Sequence, residues 1–173
     1  MNRFSNTSGT DSSPDNLCPE LPLVPEYDGK NEMFLCACGW FWGPQPRFLS
    51  IRGVVRCIVG YTGGQTLHPT YSNIQDHTEA LLVEFNPTVV SYEDLVIEWT
   101  RMHSPYGKAK CQYRSAVWYM NEDQKEICTT IVDGLQATHG KGCSSVEKAT
   151  RFYRGEEYHQ NFHANMRSGG GRY

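Results

Sequence analysis

No run of this 173-residue chain is long and apolar enough to span a bilayer, which excludes a helical membrane protein. Excess positive charge is missing too. Sixteen Lys and Arg stand against nineteen Asp and Glu, scattered rather than striped, so the electrostatic footprint that nucleic acid or an anionic membrane requires is absent. The amino-terminal segment lacks the apolar run of a secretory signal, and its acids do not suit an Arg-rich transit peptide; a cytoplasmic protein is expected. Cysteine is not scarce, but its count of seven is odd and follows no framework spacing, which points to free thiols rather than a disulfide scaffold. Cys36-Ala37-Cys38 has no second pair at the spacing zinc sites use, so neither a metal nor another cofactor is expected.

With 39% hydrophobic residues, the chain is long enough for one domain with a substantial core and short for two. Residues 1–30 are polar and punctuated by Pro14, Pro19, Pro22 and Pro25. Such a segment buries too little surface to offset its ordering entropy, which predicts a flexible tail whose later residues lie against the domain. Gly169-Gly170-Gly171 predicts a second flexible tail over 167–173, leaving 31–166 as the domain.

Met33 to Cys38 is an apolar run ending at Gly39, which predicts a buried strand. Pro44 and Pro46 lack backbone N–H groups and fit only the first turn of a helix, so Gly39 to Gly43 marks a strand-to-helix junction. Val54 to Val59 predicts a second strand, with Gly60, Gly63 and Gly64 in a loop leading to Pro69 and Tyr71. Alternation over Ala80 to Phe85 predicts a third strand with Leu81, Val83 and Phe85 on one face; if pairing begins earlier, His77 and Glu79 share it. Ser91 and Asp94 open a helix with Tyr92, Leu95, Val96, Trp99 and Met102 at the helical period. Ser115 to Met120 is a strand by composition, Asn121 with Gln124 caps a long helix ending near Gly140, and Glu156 to Met166 predicts a final helix. Elements that alternate without a strict parallel repeat indicate a mixed α/β class.

The most informative stretch is Gly39-Trp40-Phe41-Trp42-Gly43. Further blocks follow: Gly53-Val54-Val55, Val59-Gly60-Tyr61-Thr62-Gly63-Gly64, Pro69-Thr70-Tyr71, His77-Thr78-Glu79-Ala80, Gln112-Tyr113-Arg114-Ser115-Ala116 and Glu157-Tyr158-His159-Gln160. Each alone is weak, since an aromatic triplet is ordinarily core packing and a lone Glu79 ordinarily a solvated strand residue. Together, in order and spacing over about residues 32 to 163, they resemble the A-type peptide methionine sulfoxide reductase family, whose signature is Gly-Cys-Phe-Trp-Gly. The resemblance implies an α+β fold, a two-layer sandwich with a ferredoxin-like core. It also implies thiol-dependent reduction of methionine S-sulfoxide, free or in peptides and proteins, with a thioredoxin-like reductant as partner.

Reducing a sulfoxide needs a thiolate to attack sulfur, a proton donor for the departing oxygen and an apolar seat for the S-methyl group. By resemblance, Trp40 occupies the nucleophile position, Phe41 and Trp42 form the aromatic wall for the methyl group, and Glu79, Tyr71 and Tyr113 surround the oxygen. A carboxyl enclosed by aromatic groups resists ionisation and keeps a proton available near neutral pH, which fits Glu79 as the general acid. His77 and His159 are expected to be structural hydrogen-bonders.

The chain departs from the family pattern at several points. An indole replaces the thiol at position 40; being larger than Cys, its ring must either turn outward or fill the methyl seat. Gly107 and Lys108 stand where the family often has an Asn-Asp pair, Gln45 stands for the usual Glu after the signature, and no Cys occurs in the Gly171-Arg172-Tyr173 tail to act as resolving thiol. Cys38 lies two residues upstream, about 7 Å away along an extended chain, too far for attack without rearrangement. Three readings stay open: Trp40 stands for a Cys or selenocysteine, whose codons share its first two bases; catalysis has been lost; or the protein binds methionine sulfoxide without reducing it.

Overall fold

Residues 17–26, 28–106, 109–140 and 144–168 are described in the computed structural model. Gly107, Lys108, Cys143, residues 1–16 of the amino-terminal segment and Gly169-Gly170-Gly171 lie outside them. In chain order the elements are β1 (Glu20–Leu21), β2 (Glu32–Cys38), α1 (Pro44–Leu49), β3 (Val54–Thr62), β4 (Thr78–Phe85), α2 (Tyr92–Met102), a 3-10 turn (Cys111–Tyr113), β5 (Ser115–Tyr119), α3 (Glu122–His139), β6 (Ser144–Lys148), β7 (Phe152–Arg154), a second 3-10 turn (Glu157–His159) and α4 (Phe162–Ser168).

The strands form one sheet in the order β1-β7-β3-β4-β2-β5-β6. Its centre, β3-β4-β2-β5, is antiparallel throughout, and the chain visits it as β2-α1-β3-β4-α2-β5. That connection and strand order make the ferredoxin-like split βαβ core; β5–β6 is a parallel pair at one edge and β7 with β1 extends the other.

Alternation along the central strands sorts the side chains into two layers. Phe34, Cys36 and Cys38 of β2 and Leu81, Val83 and Phe85 of β4 face the helices, meeting Phe48 of α1, Leu95, Val96 and Trp99 of α2, and Cys128 and Val132 of α3. Met33, Leu35, Ala37, Ala80, Leu82, Ala116 and Trp118 face the other way, packed with Leu21 and Leu23 of the amino-terminal segment. Local signals place the helices. Ser91 and Asp94 form a reciprocal capping box before α2, and the Asn121 side chain accepts the Gln124 N–H before α3, which ends at Gly140 with φ of 95°.

Three expectations change. Gly60 is not in a loop: β3 runs through it to Thr62, because a Cβ at residue 60 would run into the Tyr153 carbonyl and lie 2.6 Å from Phe152 Cζ, so only glycine lets β7 pair alongside. The helix expected over 156–166 is broken. The Gln160 side chain donates to the carbonyls of Val59 and Gly155 (both 2.9 Å) and accepts the Val59 N–H, while the Asn161 N–H donates to Gln45 Oε1 (2.8 Å). These tertiary bonds hold Asn161 at φ of 52° and delay α4 to Phe162. Finally, the later part of the amino-terminal segment does more than lie against the domain: Glu20 and Leu21 pair with Tyr153 and Phe152 as an edge strand.

Candidate active site

The signature stretch joins the carboxyl end of β2 to α1. Gly39 turns the chain at φ of 81°, a conformation side chains disfavour, and Pro44 opens α1 behind Gly43. Phe41 points into the core at 1% exposure, whereas Trp40 turns outward at 64%. Of the two orientations open to the larger ring, the outward one is taken.

Glu79 sits on β4 opposite Tyr61 of β3 and is 2% exposed. Its carboxylate accepts the Gln112 amide at 2.9 Å and the Phe41 backbone N–H at 3.4 Å. Burial pushes its pKa above the ordinary 4.5, outweighing the opposing pull of these two donors. The 3-10 turn that presents Gln112 and Tyr113 is anchored to β4 by the Thr78 hydroxyl, which donates to the Cys111 carbonyl (2.9 Å). Arg114 reinforces that anchor through Thr78 Oγ1 (2.9 Å) and a paired contact with Glu147 of β6. Burial, then the nearby Glu79 charge, raises the Tyr113 pKa, so its phenol remains a hydrogen-bond donor.

Tyr71 comes from the loop after β3, and its backbone N–H donates to Glu156 Oε1 (2.8 Å). The other oxygen of Glu156 accepts the phenol of the fully buried Tyr61 (2.6 Å). Burial acts to raise the Glu156 pKa, yet the bonds from Tyr61 and Tyr71 overcome it and hold the carboxyl below its ordinary value. Two neighbouring carboxylates are thereby driven in opposite directions, Glu79 toward the acid and Glu156 toward the anion.

Trp42 is fixed from behind. Phe162 stacks on it at 4.2 Å with 11° between planes, and its indole N–H donates to His159 Nδ1 (3.0 Å). Accepting there puts the proton of a neutral His159 on Nε2, 3.8 Å from Glu156; burial lowers the His159 pKa against the opposing pull of Glu156. His77 is likewise a structural bonder, its Nε2 lying 2.8 Å from the Thr66 carbonyl.

Trp40, Trp42, Tyr71, Glu79 and Tyr113 line one cavity of about 230 Å³. Five of the six residues singled out from sequence therefore converge. Phe41 does not line it: its ring lies behind Trp42 against Tyr61 and His159, so the residue supports the wall and supplies a backbone donor to Glu79. Glu156, Phe162 and Gln112 are the residues the sequence left without a role, and His159 is expected from it only as a structural hydrogen-bonder. Gln112, beside Tyr113, and His159, within Glu157-Tyr158-His159-Gln160, lie in motif blocks; Glu156 and Phe162 carried no local signal.

No described cysteine lines the cavity. Cys38 is buried on β2, and Cys111 is exposed on the 3-10 turn with its thiol directed at the Asp76 carbonyl (3.3 Å). Burial raises the thiol pKa values of Cys36 and Cys57 and brings that of Cys128 to about 11. Among the described residues there is no cluster of three or more His, Cys, Asp or Glu suited to a metal, and no helix long and apolar enough to cross a membrane. A larger hollow of about 350 Å³ lies between Leu17–Pro19 and Arg154–Tyr158. Of its acids, Glu156 is committed to Tyr61 and Tyr71, and Glu157 is bonded to Arg154 (2.6 Å).

Known proteins resemble this chain over most of its length. Residues 32–172 match the family model described as peptide methionine sulfoxide reductase. The peptide methionine sulfoxide reductase MsrA of Pseudomonas entomophila is 35% identical over 155 residues, 81% of this chain and 70% of the relative. The peptide methionine sulfoxide reductase of Fragaria ananassa is 35% identical over 169 residues, 88% and 86% of the two chains. Among solved structures, reduced Mxr1 from Saccharomyces cerevisiae superposes with a TM-score of 0.73 at 25% identity, covering 86% of this chain and 91% of that one. Mxr1 in complex with Trx2 gives a TM-score of 0.60 at 22% identity, covering 82% and 94%. With the motifs in register, the core matched and the match spanning nearly all of the domain, this chain belongs to the peptide methionine sulfoxide reductase family.

Proposed function

We propose that the cavity receives the sulfoxide end of methionine S-sulfoxide, free or within a peptide or protein, and that its chemistry is thiol-dependent reduction to methionine. The observation that carries this reading is the convergence of a buried Glu79, whose pKa burial raises, and two phenols on one aromatic-walled cavity. Trp42 and Tyr71 seat the S-methyl group. The Tyr71 and Tyr113 hydroxyls hold the sulfoxide oxygen, and Glu79 delivers a proton to it as the S–O bond breaks. In the family's reaction a cysteine thiol takes the oxygen, becoming a sulfenic acid while the sulfoxide becomes the thioether. A second thiol condenses with the sulfenic acid, releasing water and forming a disulfide, which a thioredoxin-like dithiol reduces. Six described cysteines, all free, accord with a reducing compartment such as the cytoplasm.

Trp40 stands where that cysteine belongs. An indole has no proton to lose near neutral pH and forms no sulfenic acid, so a chain with Trp at 40 keeps the seat and the proton donor but not the attacking group. The outward position of Trp40 at the cavity rim favours a second reading, binding of methionine sulfoxide without reduction. One comparison separates them. The chain and its Trp40→Cys variant are assayed for reduction of a methyl sulfoxide with dithiothreitol, alongside calorimetry with methionine sulfoxide and sequencing of codon 40. Loss of an essential nucleophile costs on the order of a million-fold in kcat, so turnover by the parent supports reduction, whereas a parent that binds without measurable turnover beside a variant that turns over supports the second reading. A variant that neither binds nor reduces the sulfoxide would overturn the assignment of the cavity.

A further inference from the structure

Trp40 changes the character of the cavity as well as removing a thiol. Its ring stands at 71° to that of Trp42, with centroids 6.2 Å apart, and at 54° to that of Tyr113, 6.3 Å away. Tyr71 continues the wall 6.5 Å from Trp42. Phe162 covers one face of Trp42, leaving its remaining face and edge for the cavity. Among the described residues the lining is thus four rings and one carboxyl, with no Lys, Arg or His. A neutral sulfoxide has no need of the fourth ring, and packing does not call for it either, since Trp40 stays 64% exposed.

We propose that Trp40, Trp42, Tyr71 and Tyr113, with Glu79, form a cage for a methylated ammonium group, carried either by a free quaternary ammonium compound or by a methylated lysine side chain. Ring faces present negative charge to a cation within about 6 Å of the centroid, and indole does so best of the three aromatic side chains. Rings from three segments of the chain that line one cavity of about 230 Å³ let one compact cation meet more than one of them at once. N-methyl groups suit such a wall because they spread the charge over an apolar surface and weaken hydration, whereas a bare ammonium is strongly hydrated. Glu79 supplies the counter-charge: a fixed cation within about 4–6 Å favours the ionised carboxyl, while Gln112 and the Phe41 N–H already stand as its donors.

Calorimetric titration of the full chain tests this with three probes: tetramethylammonium, a peptide bearing trimethyllysine, and the same peptide with the uncharged tert-butyl isostere. The cations are expected to bind saturably and the isostere about threefold to thirtyfold more weakly, the span of cation–π contacts. Trp40→Leu, which keeps an apolar group but no ring, should weaken cation binding by a similar factor, and methionine sulfoxide should compete. Tetramethylammonium binding as tightly as the peptide marks a free ammonium compound as the ligand; tighter peptide binding marks a methylated lysine. The cage is refuted by absence of saturable cation binding, by equal affinity for the isostere, or by indifference to Trp40→Leu in a variant with unchanged circular dichroism. Sulfoxide binding without cation binding removes the cage and leaves the sulfoxide site; the reverse leaves the cage alone.

Discussion

Glu156 shapes the cavity without lining it, and replacing it tests how the site is held. Its two oxygens accept the phenol of Tyr61 at 2.6 Å and the backbone N–H of Tyr71 at 2.8 Å. Glu156→Ala strips the acceptor from both. A buried donor left unsatisfied costs about 1–3 kcal/mol; Tyr61 is fully buried and pays this in full, while half-buried Tyr71 recovers part of it from water. The expected loss is about 2–4 kcal/mol, and for a chain of this size each kcal/mol moves the melting midpoint by about 2–4 °C. Freed of its tether, the Tyr71 segment should also lower affinity for methionine sulfoxide by about tenfold, the effect of ~1.4 kcal/mol. Glu156→Gln is the control: its amide oxygen still accepts from Tyr71, while its amide nitrogen can only donate to the Tyr61 oxygen and leaves the buried Tyr61 hydroxyl proton without an acceptor, so the cost at neutral pH should be about 1–3 kcal/mol and smaller than that of the Ala variant. Because the native carboxyl is held below its ordinary 4.5, its stabilisation is complete above that value and is lost as pH falls through the lower native one. The gap between parent and Gln variant should therefore narrow on acidification. Urea titrations followed by circular dichroism at several pH values measure all of this. A Glu156→Ala protein within about 0.5 kcal/mol of the parent, or a Gln variant as damaged as the Ala one, would refute the tether.

Glu79 titrates in the opposite sense. Its raised native pKa means that its favourable contribution is present below the unfolded-state value and disappears as pH rises through the native one; Glu79→Gln should thus gain stability relative to the parent between acidic and neutral pH, and parallel urea curves across that range would contradict the burial argument. Gly60→Ala places a methyl group against the Tyr153 carbonyl and within 2.6 Å of Phe152 Cζ, which should cost at least the ~1–3 kcal/mol of ordinary overpacking and raise hydrogen exchange in β7 first. Unchanged exchange there would disprove the close approach.

Legibility in the sequence followed the range of the interaction. The α2 start was readable because Ser91 and Asp94 satisfy each other's neighbouring N–H groups within four residues, and the β4 faces were readable because Leu81, Val83 and Phe85 repeat at the strand period. Gly60 was misread because its glycine answers to Tyr153 and Phe152, more than ninety residues away, rather than to a local turn. The terminal helix was misjudged for the same reason: Gln160 prefers the backbone of Val59 to its own helix. β6, β7 and β1 left little pattern, being short edge elements whose pairing rather than composition makes them strands.

By itself the order of residues determined the family, the mixed α/β core, and the strand-to-helix junction at Gly39–Gly43, because motifs, caps and hydrophobic periods are local or cumulative along the chain. Only the tertiary structure decided which side chains reach the cavity. It turned Phe41 inward and Trp40 outward from adjacent positions, and it placed Phe162 and His159 behind Trp42. It also moved the pKa values of Glu79 and Glu156 in opposite directions, since a carboxyl's proton affinity depends on its burial and its donors, and those come from segments up to 95 residues away.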